Sequence, residues 1–415
     1  MKKLLLILLL SLCFGVAIAQ SRLTIGGYGE ATYTRMFYSN NYKRYTNADL
    51  YQNAPSVGQF DLPHVTFNIS YDFGHGWLLG SEIEFEHGGN ESAVEIEEEE
   101  TGEYETEVER GGEVALEQLW IQKSFSKAFN IRAGHIIVPV GQLNAYHMPN
   151  EFFTVFRPEG ENTILPCTWH ETGLSIWGRT KHWRYEAMII PGLEADLFGA
   201  NNWIGGGSAS PYEFKIGTAV AGAFRLDNYS LPGLRLSISG YIGNSACNSL
   251  KPDKYSSVKG TVSIASFDFC FENNNTIVRG VIDYGHLSNS KEITNINKTL
   301  GNNSVSPQTS VASDAIAMGI EAGYDILSAF KPIAESTSKL FAFGRYDYYD
   351  SMLKTATGVI DNPCWSRHKL TAGLNYKPIK QITIKAEWSK RFLKSQYNDE
   401  PQISIGVTYM GLFNF

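Results

Sequence analysis

The stretch that decides the fold is the last one, Gln402-Ile-Ser-Ile-Gly-Val-Thr-Tyr-Met-Gly-Leu-Phe-Asn-Phe415. Apolar and aromatic side chains fall on one parity and small or polar side chains on the other, which is the period of a β-strand. The run is long enough to cross a bilayer as a tilted strand. It predicts a membrane-spanning strand that closes a sheet, with Tyr409, Phe413 and Phe415 as its aromatic residues.

The amino terminus has the layout of a secretory signal peptide. Lys2 and Lys3 precede the apolar run 4–12, and Ala17-Ile-Ala19 is an A-x-A cleavage pattern. We expect residues 1–19 to be removed and residues 20–415 to form the exported protein. The alternative of a lipoprotein anchored through Cys13 is disfavoured, because Leu12 is too bulky for that processing site.

The exported part contains no run of 18 apolar residues, so no transmembrane helix is predicted. Helices and closed barrels are the structures that satisfy every backbone group in lipid, which leaves an all-β transmembrane antiparallel β-barrel. The 22 Tyr and 23 Phe suit aromatic girdles at the membrane interfaces. A secreted β-sandwich is the alternative, but it does not need an alternating strand that ends in Phe.

Alternation and turn residues together predict about sixteen strands, with short periplasmic turns and long extracellular loops. An aqueous channel is typical of a barrel of this size. Near 259–271 the apolar parity changes, which predicts a β-bulge or another register. The predicted strands are 23–35, 63–73, 77–87, 114–125, 129–137, 168–178, 183–191, 215–226, 234–243, 259–271, 276–287, 314–326, 339–349, 367–376, 381–392 and 402–415.

Segment 138–167 is too apolar for a wholly solvated loop. It contains Glu151-Phe-Phe-Thr-Val-Phe156 and ends near Pro166-Cys167. We interpret it as a constriction loop that folds into the barrel; a surface loop that caps the barrel or packs on a neighbouring subunit is the alternative.

Residues 88–113 form an acidic extracellular loop. Eleven Glu against Arg110 give this stretch a net charge of −10, in a chain with 43 acidic and 35 basic residues. Such a run is typically solvated and flexible. Loose binding of Ca²⁺ is the alternative, but no D-x-D-x-D-G spacing supports a defined calcium site.

The predicted inner face carries charges of both signs, which either form charge rings that set selectivity or pair across strands. The candidate pore-lining residues are Arg132, Glu151, Arg157, Glu171, Arg184, Arg235, Arg279, Glu321, Arg345, Lys369, Lys385 and Glu387. Further inward charges are Glu82, Glu84, Glu86, Glu186, Arg225, Asp268, Asp283, Asp325, Asp347 and Arg391.

Four cysteines follow the signal: Cys167, Cys247, Cys270 and Cys364. An exported protein can form disulfides, and one bridge between loops is expected, although spacing does not choose among the three connectivities.

Segment 117–141 carries a resemblance. Glu117-Gln-Leu-Trp-Ile121, Asn130-Ile-Arg-Ala-Gly-His135 and Pro139-Val-Gly141 resemble the hairpin and loop start of the phosphate-selective-porin-like family of Gram-negative outer-membrane porins, and 25–30 resembles its first strand. The resemblance implies a sixteen-stranded, trimeric diffusion pore in contact with outer-membrane lipid. It does not carry over phosphate specificity, because 138–167 has only Arg157 beside Glu151, Glu159 and Glu161.

The leading hypothesis is therefore an outer-membrane porin for passive diffusion of small hydrophilic solutes or ions. The alternative is a non-conducting surface barrel that acts as an adhesin or structural anchor through its long loops. A hydrolase is disfavoured, because His170-Glu171 has no H-E-x-x-H or G-x-S-x-G context. We expect no cofactor, no metal site and no nucleic-acid partner.

Overall fold

The structure, a computed structural model, describes residues 22–87, 92–98, 104–110, 113–209, 214–249, 251–301, 304–330 and 338–414. The predicted signal peptide and the predicted closing residue Phe415 lie outside the described residues.

Sixteen antiparallel strands form a closed barrel, which confirms the predicted fold class. Strand β1 (Leu23–Met36) pairs with β19 (Glu400–Asn414) in a register that sets Ile25 opposite Phe413. On its other edge, β1 pairs with β3 (His64–Gly74). The remaining barrel strands are β4 (Trp77–Glu86), β7 (Glu113–Ser126), β8 (Phe129–Ile137), β9 (His170–Arg179), β10 (Trp183–Pro191), β11 (Val220–Leu231), β12 (Leu234–Asn244), β13 (Thr261–Glu272), β14 (Thr276–Leu287), β15 (Asp314–Asp325), β16 (Lys339–Lys354), β17 (Ser366–Ile379) and β18 (Ile382–Phe392).

Three further strands lie outside the barrel proper. β2 (Val57–Asp61) pairs with the far end of β1, and β5 (Ser92–Glu98) pairs with β6 (Tyr104–Arg110) as a separate hairpin. None of the helices that the structure describes is long and apolar enough to cross a membrane. The α-helices are Ala48–Tyr51, Gln142–Ala145, Glu159–Ile164 and Ser290–Asn297, and the 3-10 turns are Tyr42–Tyr45, Ala195–Leu197, Gly205–Ser208, Ala246–Asn248, Pro252–Tyr255, Ile326–Ala329 and Pro363–Trp365.

The predicted parity of the closing strand agrees with its exposure. Ile403, Ile405 and Val407 are 45–50% exposed on the outside, whereas Ser404 and Thr408 are buried. The outer surface is therefore an apolar belt suited to lipid, and the polar parity faces the barrel interior.

The predicted bulge in β13 is wrong. This strand pairs with both neighbours without a register shift. Val262 and Ile264 face inward and are buried together with Asp268, while Phe267 faces outward. The parity changes because the inner wall itself becomes apolar toward one end of the barrel.

Short connections gather at one end of the barrel, here called the turn end, and long connections gather at the other, the loop end. At the loop end, the described parts of the long connections 138–169, 192–219, 245–260 and 288–313 fold over and into the barrel and bury one apolar cluster against its wall. Members from these loops include Trp169, Leu193, Phe198, Trp203, Val258, Ile293 and Val311. The predicted strand 215–226 begins later, at Val220, because the residues before it belong to one of these loops.

One other expectation is corrected. Within the acidic stretch, the backbone at 92–98 and 104–110 forms the β5–β6 hairpin, and its predicted solvation stays a prediction. The expected disulfide is absent from the described residues, where Cys167, Cys247, Cys270 and Cys364 are all free thiols.

Candidate channel constriction

Segment 138–169, here called the inserted segment, leaves the wall after β8 and returns to it at β9. The N–H of Val138 donates to the carbonyl of Trp169 at 2.8 Å, which ties the two ends together. The chain turns inward at Gly141, whose positive φ of 85° suits glycine. Val138, Val140 and Trp169 are fully buried, so apolar burial drives this segment into the barrel.

Lys385 on β18 attaches the inserted segment to the far wall. Its ammonium donates to the carbonyl oxygens of Pro149 at 2.6 Å, Phe152 at 3.2 Å and Thr154 at 2.8 Å. Lys385 is only 1% exposed. Three carbonyl dipoles therefore replace the water that this cation loses on burial.

Further contacts hold the same stretch against β18 and against two more strands. The N–H of Val155 donates to the Glu387 carboxylate at 2.7 Å, and the Asn375 amide donates to the carbonyl of Phe153 at 2.9 Å. The Phe153 ring packs on Phe341 and Phe343 of β16, with ring centroids 5.4 Å apart in both cases. Apolar and polar contacts thus fix the middle of the segment against β16, β17 and β18.

Glu159 anchors the segment to the wall by ionic contacts. Its carboxylate lies 2.5 Å from Nζ of Lys369 and 3.2 Å from Nε of Arg391, and it accepts a hydrogen bond from the Tyr349 hydroxyl at 2.7 Å. Burial alone raises the pKa of Glu159, but Arg391 and Lys369 outweigh it and hold the pKa well below its usual range. The carboxylate is therefore ionised at neutral pH.

The other acidic residues of the segment have different surroundings. Glu161 accepts hydrogen bonds from the backbone N–H groups of Gln142 at 2.6 Å and Leu143 at 3.1 Å. Burial raises the pKa of Glu151 to about 7, although Arg279 and Arg235 act against the rise. Burial likewise raises the pKa of Glu161 to about 7, so both Glu151 and Glu161 of the inserted segment titrate near neutral pH.

Most candidate pore-lining charges on the wall are paired. Glu321 receives both Arg279 at 2.7 Å and Arg345 at 3.2 Å, and Arg184 lies 2.6 Å from Glu186. On the wall, Arg235 also contacts Asp268 at 2.9 Å, Glu171 contacts Lys215 of a loop at 3.2 Å, and Arg132 lies 3.9 Å from Glu186. Arg157 of the inserted segment lies 3.9 Å from Glu84. The inner wall is therefore a cross-linked network of mixed charge.

The alternation in the sequence predicted several of these inward charges but not which residues pair with them. Arg225, for example, is 1% exposed and contacts both Asp227 and Asp268 at 2.8 Å. The apolar filling of the loop end was also missed, although the parity change at Val262 and Ile264 was its signal.

Solvent reaches the wall from the turn end. A cavity of about 790 Å³ lies there, lined by Lys127, Arg179, Lys181 and Arg184 together with Gln122 and Trp177. The side chains of Arg132 and Arg184 stay 17% and 25% exposed. This entrance is basic, in contrast to the acidic hairpin connecting β4 to β7 at the loop end.

His170 and Glu171 do not form a catalytic pair. Nδ1 of His170 lies 2.5 Å from Nε2 of His135, whereas Glu171 faces the barrel interior and contacts Lys215. Neighbouring residues on a strand point to opposite faces, so the two side chains diverge.

The closed sixteen-stranded antiparallel barrel is the fold of outer-membrane barrel porins. OmpF of Salmonella typhi, solved with daunomycin, matches with a TM-score of 0.55 and 11% identity over 95% of this chain and 98% of OmpF. The outer-membrane channel DcaP of Acinetobacter baumannii gives 0.53 and 10% over 95% and 99%. An anion-selective porin from Comamonas acidovorans gives 0.52 and 9% over 94% and 100%.

In sequence, an uncharacterized protein of Aquifex aeolicus is 26% identical over 401 residues, which cover 93% of this chain and 79% of the relative. No family model matches the chain. The likenesses in structure, all at low identity, show the fold alone.

Proposed function

We propose that this protein is an outer-membrane porin whose passage is narrowed by the inserted segment. The observation that carries the proposal is the attachment of 149–159 to the far wall through Lys385, Glu387 and Lys369. A segment held on both sides of the lumen divides its cross-section, so solutes pass beside it rather than through an open cylinder.

The solutes that fit such a passage are small, hydrophilic and ionic. The basic entrance at the turn end, which the proposal places in the periplasm, favours anions there through Lys127, Arg179 and Lys181. The same proposal includes export directed by residues 1–19 and contact with outer-membrane lipid along the apolar belt. It also includes assembly as a homotrimer and absence of enzymatic activity. The motifs at 117–141 support a place near the phosphate-selective-porin-like family without its phosphate specificity.

The test is planar-bilayer recording of refolded residues 20–415. We expect stepwise openings of low conductance. In asymmetric KCl, we expect a reversal potential whose sign indicates selectivity for chloride over potassium. A barrel that inserts, as judged by its folded mobility on gels, but never conducts would overturn the proposal.

A second candidate is favoured by one observation, the burial of the inner wall. Thr371, Ser389 and Ser404 face the lumen with no exposed surface, although they line a barrel wide enough for water. A non-conducting barrel that presents its loops as an adhesin or anchor accounts for this burial. Silence in the bilayer experiment, together with conduction after removal of 143–165, supports this second function.

A further inference from the structure

Three buried polar side chains meet where the inserted segment passes β4 and β7. Oε1 of Glu82, Oε2 of Glu117 and Nε2 of His147 have no hydrogen-bond partner in the described chain. Glu82, Glu117 and His147 are 4%, 1% and 7% exposed. Ligand atoms of the three residues lie within 4.8 Å of one another. Leaving three polar atoms unpaired in one buried place is costly, so their convergence indicates a missing partner.

A β-bulge aims Glu117 into this cluster. β4 and β7 pair Glu82 with Gln118 and then Ile83 with Leu116, so Glu117 is the extra residue. Farther along β7, odd-numbered residues such as Leu119 and Ile121 are exposed on the lipid side. Without the bulge, the carboxylate of Glu117 would share that parity; bulges that redirect a side chain are frequent beside functional sites.

His147 is prepared to act as a ligand. Its Nδ1 lies 3.4 Å from the carbonyl oxygen of Asn144, which favours the proton on Nδ1 and leaves the lone pair on Nε2. A second hydrogen bond that orients the ring is the usual arrangement for a metal-bound histidine.

Charge around the cluster is not balanced. Glu82, Glu84 and Glu117 bring three carboxylates, and Arg157, 3.9 Å from Glu84, is the guanidinium that faces them from the inserted segment. If all three acids are ionised, the excess is two negative charges, which one divalent cation neutralises. Protons retained by the carboxyls, including one shared between Glu84 and Glu117, are the metal-free alternative.

We propose that Glu82, Glu117 and His147 bind a divalent transition-metal cation of the Zn²⁺ type, which ties the inserted segment to β4 and β7. Imidazole with two carboxylates suits Zn²⁺, Co²⁺ or Mn²⁺, whereas Ca²⁺ and Mg²⁺ prefer oxygen ligands alone. A cavity of about 220 Å³ adjoins Glu82 and His147 and has room for a water molecule as a further ligand. The proposal concerns binding and holds whether or not the barrel conducts.

The test uses the refolded, untagged residues 20–415 in detergent after removal of metal with a chelator. Titration with ZnCl₂ in a calorimeter should show one tight site per chain, and Co²⁺ in its place should give the visible absorption of a site with one nitrogen ligand. In His147→Ala and in Glu117→Gln, the affinity for Zn²⁺ should fall at least about tenfold. Glu117→Gln removes a buried charge, so it should fold even without metal.

The matched control is His170→Ala, which removes another histidine of the described chain, the partner of His135, and should leave the tight site intact. Loss of the site in His170→Ala but not in His147→Ala would overturn the proposal. Absence of tight Zn²⁺ binding by the folded wild type would also overturn it, and would favour retained protons.

Discussion

Two connections at the loop end, the inserted segment 138–169 and the acidic hairpin β5–β6, both carry glutamates but differ in what those glutamates face. The inserted segment enters the barrel, where Glu159 meets Lys369 and Arg391. In the hairpin, Glu95 stands opposite Glu107 and Glu97 opposite Glu105 on paired strands. Like charges that face each other across a ladder are destabilising, so that hairpin gains little from its own pairing.

The difference lies in what accompanies the acids. Val138, Val140, Ile164 and Leu165 are fully buried members of the inserted segment, and their burial offsets the cost of carrying charges inward. Each glutamate that faces inward then accepts hydrogen bonds from donors on the wall or on the segment itself. Charge alone therefore does not decide whether a loop stays outside a barrel; apolar content and available partners do.

Deletion of 143–165 tests this contrast most strongly. Without these residues the inner wall of β15–β18 is exposed, and Lys369, Lys385 and Arg391 lose the groups that they contact in the segment. We expect single-channel conductance several times that of the intact protein and a stronger preference for chloride, measured in planar bilayers. Unchanged conductance would show that the segment neither constricts nor plugs the barrel.

Glu159→Gln should produce the next largest effect, on stability. The substitution leaves Lys369 and Arg391 without their carboxylate, and since Glu159 is partly exposed we expect a loss of about 2 kcal/mol of unfolding free energy. Denaturant unfolding in detergent measures the loss. Because the folded pKa of Glu159 lies below its unfolded value, the wild-type advantage should be present at neutral pH and disappear as the pH falls toward the folded pKa. Glu97→Gln in the hairpin is the control and should not destabilise the protein.

The strands of the wall could be predicted from the sequence, whereas the contacts inside the barrel could not. Lipid imposes strict alternation on the wall, so the sixteen strands were predicted with few errors in their bounds. The residues that fill the interior follow no such periodic pattern. The N–H of Val155 contacts Glu387, which is 232 residues away in sequence, and no local pattern predicts that contact. Glu117 shows a further limit, because its side chain reaches the interior through a bulge that strict alternation does not predict.

The pKa of Glu151 predicts a moderate pH effect. Its raised folded pKa means that stability falls as the pH rises from the unfolded value to about 7, where the buried carboxyl ionises. The new negative charge between Arg235 and Arg279 should weaken chloride preference over the same range, as a shift in reversal potential. Glu151→Gln should abolish this shift, and a shift that persists in the variant would assign the titration to another group.

Removal of the hairpin, by joining 88 to 113 with a short Gly-Ser turn, should have the smallest effect. Unfolding free energy should change by less than about 0.5 kcal/mol, because the hairpin adds no ladder to the closed barrel. We expect its charge to act through solvent, so the reversal potential should move toward chloride at about 0.01 M salt and stay unchanged at about 1 M, where screening extends only about 3 Å. A shift that survives high salt would mean that glutamates of the hairpin reach the passage directly. The contrast between an inserted and a solvated acidic loop would then fail.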